Sequence, residues 1–228
     1  MNKFLIYQII LLLTLQGCKD QTQDQNDIVT INGVTINQKI LNELKKKLNQ
    51  EPIEFEKVNY HYENVDSTWK EETDTIRNGF YFKQISEFKA KRIIQDYSEE
   101  LTETGHYMFL KNLEFDDNWN SLYDVTIVKA ENQYDILKIM NTQGPNYDVT
   151  NEQVITKVKK WDEKVGLKII VADEARVEAF ISKLPDDLLN FTQEIYELCP
   201  DVIEQGYSDM DEMINDYKTN KYFWMWWD

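Results

Sequence analysis

The chain has 228 residues, of which 41 are acidic and 25 are basic, and its formal net charge at pH 7 is −16. So acidic a protein is poorly suited to bind a nucleic-acid backbone, whose phosphates proteins neutralise with lysine and arginine. The same charge opposes adsorption to anionic lipid, and it favours either a basic partner or simple solubility. The length suffices for one large domain or two small ones.

The first 18 residues follow the order of a bacterial lipoprotein signal. Lys3 precedes the apolar run Phe4–Leu15, which is shorter than the roughly 20 residues that a membrane-spanning helix needs. Gly17 then precedes Cys18, the residue that such a signal lipidates. We therefore expect residues 1–17 to be a signal peptide and Cys18 to be the acylated N-terminus. An ordinary secretory signal and a short buried helix are the alternatives.

The segment 18–27 is polar and predicts a flexible tether between the lipid and a folded body. Several acyl chains would anchor the protein stably to a membrane. An acidic residue close to the lipidated cysteine also resembles the surface-export signals of some bacterial lipoproteins. The expected location is the bacterial cell envelope, at the outer membrane or cell surface rather than the inner membrane.

Residues 28–105 predict an N-terminal α+β region of unclear fold. Asn32-Gly33 lies between β-branched residues, a pattern that favours a β-hairpin. A lysine-rich helix is predicted over residues 36–48. Residues 49–80 are polar with scattered aromatics, and their only predicted element is a strand near Glu54–Tyr62.

The pattern becomes clearer from residue 83. Lys83–Thr104 predicts a helix, because its apolar residues recur at helical spacing, and Gly105 is placed to end it. Strands are predicted at Tyr107–Leu110 and Asp124–Ala130. The polar segment Asp116–Asn120 predicts the loop between them.

Residues 106–228 predict a C-terminal domain in which helices and strands alternate. The predicted elements that follow are a strand or helical turn at 133–140, a loop at 141–150, a helix after the capping box of Thr150 and Gln153, strands at 167–172 and 176–181, a helix after Pro185, an acidic helix at 209–219 and a strand at 222–227. This order indicates an α+β fold, with a mixed or antiparallel sheet and helices on one face. A ferredoxin-like topology is one candidate.

The sequence carries no strong signature of a metal or a nucleophile. Its two histidines, His61 and His106, lie far apart and in no ligand spacing, and Asp116–Asn120 lacks the glycine of an EF-hand loop. Cys199 has no disulfide partner once Cys18 is lipidated, and a helix C-terminus disfavours a thiolate. We therefore predict no metal, no cofactor and no catalytic residue.

Six consecutive large apolar residues precede the final Asp228. On a strand, Trp224 and Trp226 point to one face of the sheet and Trp227 points to the other. Burial of both faces in the core is the favoured interpretation. The alternative is an open face on which Trp227 and Tyr222 form an aromatic surface.

Several short elements recur in a fixed order within the segment Tyr134–Asp228. They are Asn146-Tyr147-Asp148, Leu184-Pro185, Glu194, Cys199-Pro200-Asp201, Gln205-Gly206 and Trp226-Trp227-Asp228. In these elements the segment resembles a bacterial family known as domain of unknown function 4253. The resemblance implies no established activity, substrate or catalytic residue.

The resemblance does suggest that these elements meet in space. The candidates for one binding pocket or polar network are Asn146, Tyr147, Asp148, Asp201, Gln205, Trp227 and Asp228. The favoured interpretation is that these residues cap helix ends and tie loops together, as Asn and Asp often do.

Three functional hypotheses follow from the sequence. The leading one is a lipid-anchored envelope protein that binds a basic protein partner or a small ligand without chemistry, for example in an immunity or adaptor role. The second is a cofactor-free hydrolase that uses carboxylates near Glu194 and Asp201. The third is a structural envelope lipoprotein with no discrete ligand.

Overall fold

The computed structural model describes residues 27–65 and 68–228. The predicted signal peptide, Cys18 and nearly all of the tether lie outside the described residues. Within the described ranges, no helix is both long enough and apolar enough to cross a membrane.

The N-terminal region begins with a short hairpin. Its elements are β1 (Ile28–Ile31), β2 (Val34–Asn37), α1 (Gln38–Leu48), β3 (Ile53–Val65), β4 (Thr68–Ser86) and α2 (Glu87–Glu103). The predicted turn of the first hairpin is confirmed, because Asn32 and Gly33 adopt φ values of 44° and 82°. Such positive φ values are those that a tight two-residue turn requires.

The C-terminal region supplies the remaining elements. They are β5 (His106–Phe115), β6 (Ser121–Lys129), α3 (Tyr134–Met140), α4 (Asn151–Val165), β7 (Leu167–Asp173), β8 (Arg176–Ile181), α5 (Leu188–Leu198), α6 (Met210–Asn220) and β9 (Tyr222–Trp226). The predicted capping box is confirmed, since Thr150 and Gln153 each accept a backbone N–H from the other. A π-helical turn, Val202–Gly206, connects α5 towards α6.

Strands from both regions build one sheet. Its order is β3-β4-β6-β5-β7-β8-β9, while β1 and β2 form a separate pair. Neighbouring strands run antiparallel except β5 and β7, which are parallel. The predicted α+β class with a mixed sheet is therefore confirmed.

The topology differs from a ferredoxin-like fold. From β6 to β9, strands and helical segments of two helices each alternate in the order of that fold, but β8 and β9 are direct antiparallel neighbours at the sheet edge. The helical segments of a ferredoxin-like fold instead connect parallel strands. Chain order alone did not determine the sheet order.

Helices cover both faces of the sheet. Helices α3 to α6 pack on one face, around the buried side chains of Trp161, Phe191 and Trp227. Helices α1 and α2 cover the opposite face, where Phe80 and Ile127 lie in a second core. The C-terminal helices thus share one face, as predicted, and the N-terminal helices supply the cover for the other.

The strand predicted near Glu54–Tyr62 is confirmed as part of β3, and the unassigned remainder of residues 49–80 completes most of the long hairpin of β3 and β4. One N-terminal prediction needs correction. The helix predicted from Lys83 begins at Glu87, because Ile85 and Ser86 still pair with β6. The hairpin of β3 and β4 was hard to predict because its polar strands lack strong alternation of apolar residues. The helix starts late because the pairing of β4 with β6 overrides the helical spacing of apolar residues at its N-terminal end.

Candidate functional site

A groove opens where the two parts of the sheet meet. Strands β5 and β7 share one residue pair in register, Leu110 with Val171. Beyond this pair, residues from the carboxyl ends of both strands line a groove of about 820 Å³. Ligands of α/β proteins often bind outside the carboxyl ends of parallel strands, and small-ligand clefts span about 300–1,000 Å³. The groove is therefore the best-formed candidate site among the described residues.

The groove lining combines charged and aromatic side chains. The charged residues are Glu56, Lys57, Lys111, Asp173, Glu174 and Arg176. The aromatic residues are Phe55, Phe115, Trp224 and Trp226. Phe115 and Trp226 are 54% and 37% exposed, so both present apolar surface at the mouth of the groove.

Each cation of the lining already has a carboxylate partner. Lys57 pairs with Glu174 across the groove, and Arg176 pairs with the buried Glu178. The Nζ atom of Lys111 lies 3.0 Å from the Oδ2 atom of Asp124. The lining is consequently close to neutral, in contrast to the strongly acidic chain.

The buried carboxylate of Asp124, which pairs with Lys111, is itself held by residues at two β-bulges. It accepts the backbone N–H of Gln84 at 3.0 Å and the Nδ2 group of Asn112 at 2.8 Å. Gln84 and Asn112 each adopt φ 53°, where the register of β4 and β5 against β6 shifts. Bulges commonly redirect side chains beside functional sites, and this pair holds Lys111 towards the groove.

Three groove residues form a row across neighbouring strands. Asp173 lies opposite Arg176, and Arg176 lies opposite Trp226. Residues directly opposite in antiparallel strands share a face of the sheet, with Cβ atoms about 4.5–5.5 Å apart. Burial raises the pKa of Asp173, whose Oδ1 atom accepts the backbone N–H of Ala175 at 3.1 Å. The row places an acceptor, a donor and an aromatic ring side by side.

The predicted loop between β5 and β6 lies beside this site but outside its lining. The carboxylate of Asp116 accepts the backbone N–H groups of Asn118 and Asn120 at 2.8 and 2.9 Å. Trp119 is 83% exposed, and its ring lies 6.1 Å from that of Phe115. The carboxylate of Asp116 is thus used to order the loop.

The sequence-predicted candidates form a second polar site around Asp201. Asp201 accepts the hydroxyl of Tyr147 at 2.6 Å, the amide of Gln205 at 3.0 Å and the backbone N–H of Asp228 at 3.0 Å. Asn146 donates its side-chain amide to the carbonyl of Asp228. We call these five residues the Asp201 network.

The carboxyl group of Asp201 is buried and fully engaged in the network. Burial alone would raise its pKa, but the hydrogen bonds from Tyr147, Asp228 and Gln205 hold the pKa below its ordinary value. The hydrogen bond between Tyr147 and Asp201 raises the pKa of Tyr147 to about 12. These groups connect the loop before α4, the π-helical turn and the end of the chain.

The two remaining candidates lie outside this network. Trp227 is in the core, where its Nε1 group donates to the carbonyl of Leu198 at 3.1 Å. Asp148 is exposed and adopts φ 55° at the end of the turn Pro145–Tyr147. The Asp201 network therefore fixes the chain end beside Trp226, which makes it a support for the groove.

The other chemical candidates also have structural partners. Burial would raise the pKa of Glu194, but hydrogen bonds from Lys164 and Trp161 lower it to about 2. Burial raises the pKa of Cys199 to about 12, and its Sγ atom donates to the carbonyl of Trp226. Neither group has the pKa of a base or nucleophile for neutral pH. Within residues 27–65 and 68–228, no cluster of His, Cys, Asp or Glu is arranged to hold a metal.

The sequence predicted the residues of the Asp201 network but few of the residues that line the groove. Asp173 and Glu174 fall between the strands predicted at 167–172 and 176–181, and Trp226 is predicted only as part of the terminal aromatic run. Lys57 and Lys111 gave no local signal, because β3 and β5 meet the turn after β7 only in the folded sheet.

The described residues define an α+β protein with a seven-stranded mixed sheet and a charge-balanced groove. Residues 124–228 match the family model described as Domain of unknown function (DUF4253). The predicted resemblance of the C-terminal part is thereby confirmed. Searches among curated proteins and solved structures gave no match. The matched region contains Asp173, Arg176 and Trp226, whereas Lys57 and Lys111 precede it.

Proposed function

We propose that this protein is a lipid-anchored component of the bacterial envelope, at the outer membrane or cell surface, whose folded body binds a ligand without chemistry. The groove between β5 and the turn after β7 carries this proposal, because it combines paired charges with exposed aromatic rings. The lipid on Cys18 would hold the body at the membrane, and the tether would let the groove reach its ligand.

The groove favours a small ligand over the basic protein partner. Its cations are balanced by carboxylates, so the net charge of −16 is not concentrated there. The immunity or adaptor hypothesis rests on that overall charge and gains no support from the groove. The hydrolase hypothesis also gains none, since Glu194 and Asp201 are held in separate sets of hydrogen bonds.

The anchor is tested by labelling growing bacteria with radioactive palmitate. The wild-type chain is expected to incorporate label and to fractionate with the envelope, whereas Cys18→Ser is expected to do neither. Label in both proteins, or in neither, would contradict the assignment of Cys18. A band of the same electrophoretic mobility in both would also show that no processing depends on this residue.

Ligand binding is tested by thermal unfolding of residues 18–228 with and without the small-molecule fraction of an envelope extract. A ligand at about 100 times its Kd stabilises a protein by about 2.7 kcal/mol, enough to raise the Tm by several degrees. Wild type should show this rise and Trp226→Ala should lose it. Phe88→Ala is the control, because it removes an 80% exposed aromatic side chain on α2, outside the lining.

A further inference from the structure

We propose that the ligand of the groove is an uncharged saccharide, stacked on Trp226 and hydrogen-bonded by Asp173 and Arg176. This inference rests on the proposed function, since it names the class of ligand for the same site. It is carried by the cross-strand row of these three residues at the mouth of the groove.

The charge balance of the lining argues for an uncharged ligand. A cationic ligand would be repelled by Lys57, Lys111 and Arg176. An anionic ligand would be repelled by the carboxylates paired with these cations and by Asp173. Two of the three pairs, Lys111 with Asp124 and Arg176 with Glu178, have a buried carboxylate, and breaking either to admit a charge is costly because it leaves that carboxylate unpaired. An uncharged ligand leaves all three pairs in place.

The hydrogen-bonding groups of the row suit adjacent hydroxyl groups. A hydroxyl both donates and accepts, so one sugar hydroxyl can donate to the Asp173 carboxylate while its neighbour accepts from Arg176. Glu178 is 2% exposed and pairs with Arg176, so it holds the Arg176 guanidinium in place from the interior of the protein. Groups that are already ordered lose little entropy when a ligand binds.

The aromatic groups suit the apolar face of a pyranose ring. Trp226 is 37% exposed, and Phe115 stands across the groove mouth at 54%. Such rings offer a flat apolar surface to the axial C–H groups of a sugar, which hydrogen-bonding side chains leave uncovered. A volume of about 820 Å³ accommodates more than one sugar ring.

The test is a titration of ¹⁵N-labelled protein with soluble glucose, galactose, mannose, N-acetylglucosamine and their common disaccharides. At least one saccharide should shift the indole N–H signal of Trp226. The indole signal of Trp161, which is fully buried and outside the lining, should stay in place. Lysine methyl ester serves as the cationic probe and N-acetylglutamate as the anionic probe, and neither should shift the Trp226 signal.

Calorimetric titration of variants with the same saccharide tests the row itself. Asp173→Asn keeps an oxygen that can accept the backbone N–H of Ala175 but loses the negative charge. The Kd of this variant for the saccharide should rise about tenfold. Trp226→Ala should raise the Kd by a similar factor. Glu197→Gln removes one exposed carboxylate on α5 and should leave the Kd unchanged.

Three outcomes would overturn the saccharide proposal. They are no shift of Trp226 with any saccharide, tighter binding of a charged probe, and equal Kd values for Asp173→Asn and Glu197→Gln. If the envelope extract still raises the Tm of wild type but not of Trp226→Ala, the groove binds a ligand of another class, and the proposed function survives. If the extract has no effect either, both proposals fail.

Discussion

Trp227→Ala is expected to lower the free energy of unfolding by about 3–5 kcal/mol, the usual cost of removing a buried tryptophan. Trp227 is 1% exposed, and its indole also satisfies the carbonyl of Leu198. A Cβ atom on Gly144 would lie 2.4 Å from the ring, so the surrounding backbone is closely fitted to it. The empty volume would be difficult to refill without moving that loop.

Urea denaturation of Trp227→Ala and Trp226→Ala measures this effect with a control from the adjacent residue. Trp226 is partly exposed on the other face of β9, so its removal should cost less than half as much. Trp226→Ala should instead abolish the ligand-induced rise in Tm. Equal losses of stability in the two variants would contradict the placement of the tryptophans.

Asp201→Asn is expected to cost about 2–3 kcal/mol, because a buried network would lose a charged acceptor and leave a donor facing a donor. Oδ1 accepts from Tyr147 and Gln205, while Oδ2 accepts the backbone N–H of Asp228. An amide cannot accept at both positions. The variant should also weaken ligand binding, since the network holds the chain end beside Trp226.

The effect of Asp201→Asn should depend on pH. The folded protein lowers the pKa of Asp201, so its stabilising effect is complete above the ordinary pKa of an aspartate and is lost as the pH falls through the lowered value. The difference between wild type and variant should therefore shrink on acidification. Asp148→Asn makes the same charge change at an exposed site and should cost little. A pH-independent difference, or equal costs, would contradict the network.

The fold was predictable where local signals and burial agree. The hairpin at Asn32-Gly33, the capping box of Thr150 and the alternation of side chains along the terminal strand each follow from short-range chemistry, and the structure confirms them. The favoured burial of both faces of that strand was wrong, because Trp226 is 37% exposed, and the alternative surface of Trp227 with Tyr222 was wrong because Trp227 is buried. The hairpin of β3 and β4 was not predictable, because it pairs two polar strands. The sheet order was not predictable either, since it depends on which strand edges remain free after the helices pack.

The Asp201 network was predictable as a cluster, whereas the groove was not. The family resemblance implied that these elements meet in space, and the structure brings five of the seven candidates together. The groove arises because β5 and β7 share one registered pair. Lys57, Asp173 and Trp226 lie on three different strands, and no local pattern in the sequence indicates that they will meet.

The central claim is that the groove beside Trp226 binds a small ligand from the envelope. The most direct measurement is the change in Tm that a small-molecule envelope extract produces in wild type, Trp226→Ala and Phe88→Ala. A rise of several degrees is expected in wild type and in Phe88→Ala, and none in Trp226→Ala. An equal rise in all three proteins, or no rise in any, would contradict it.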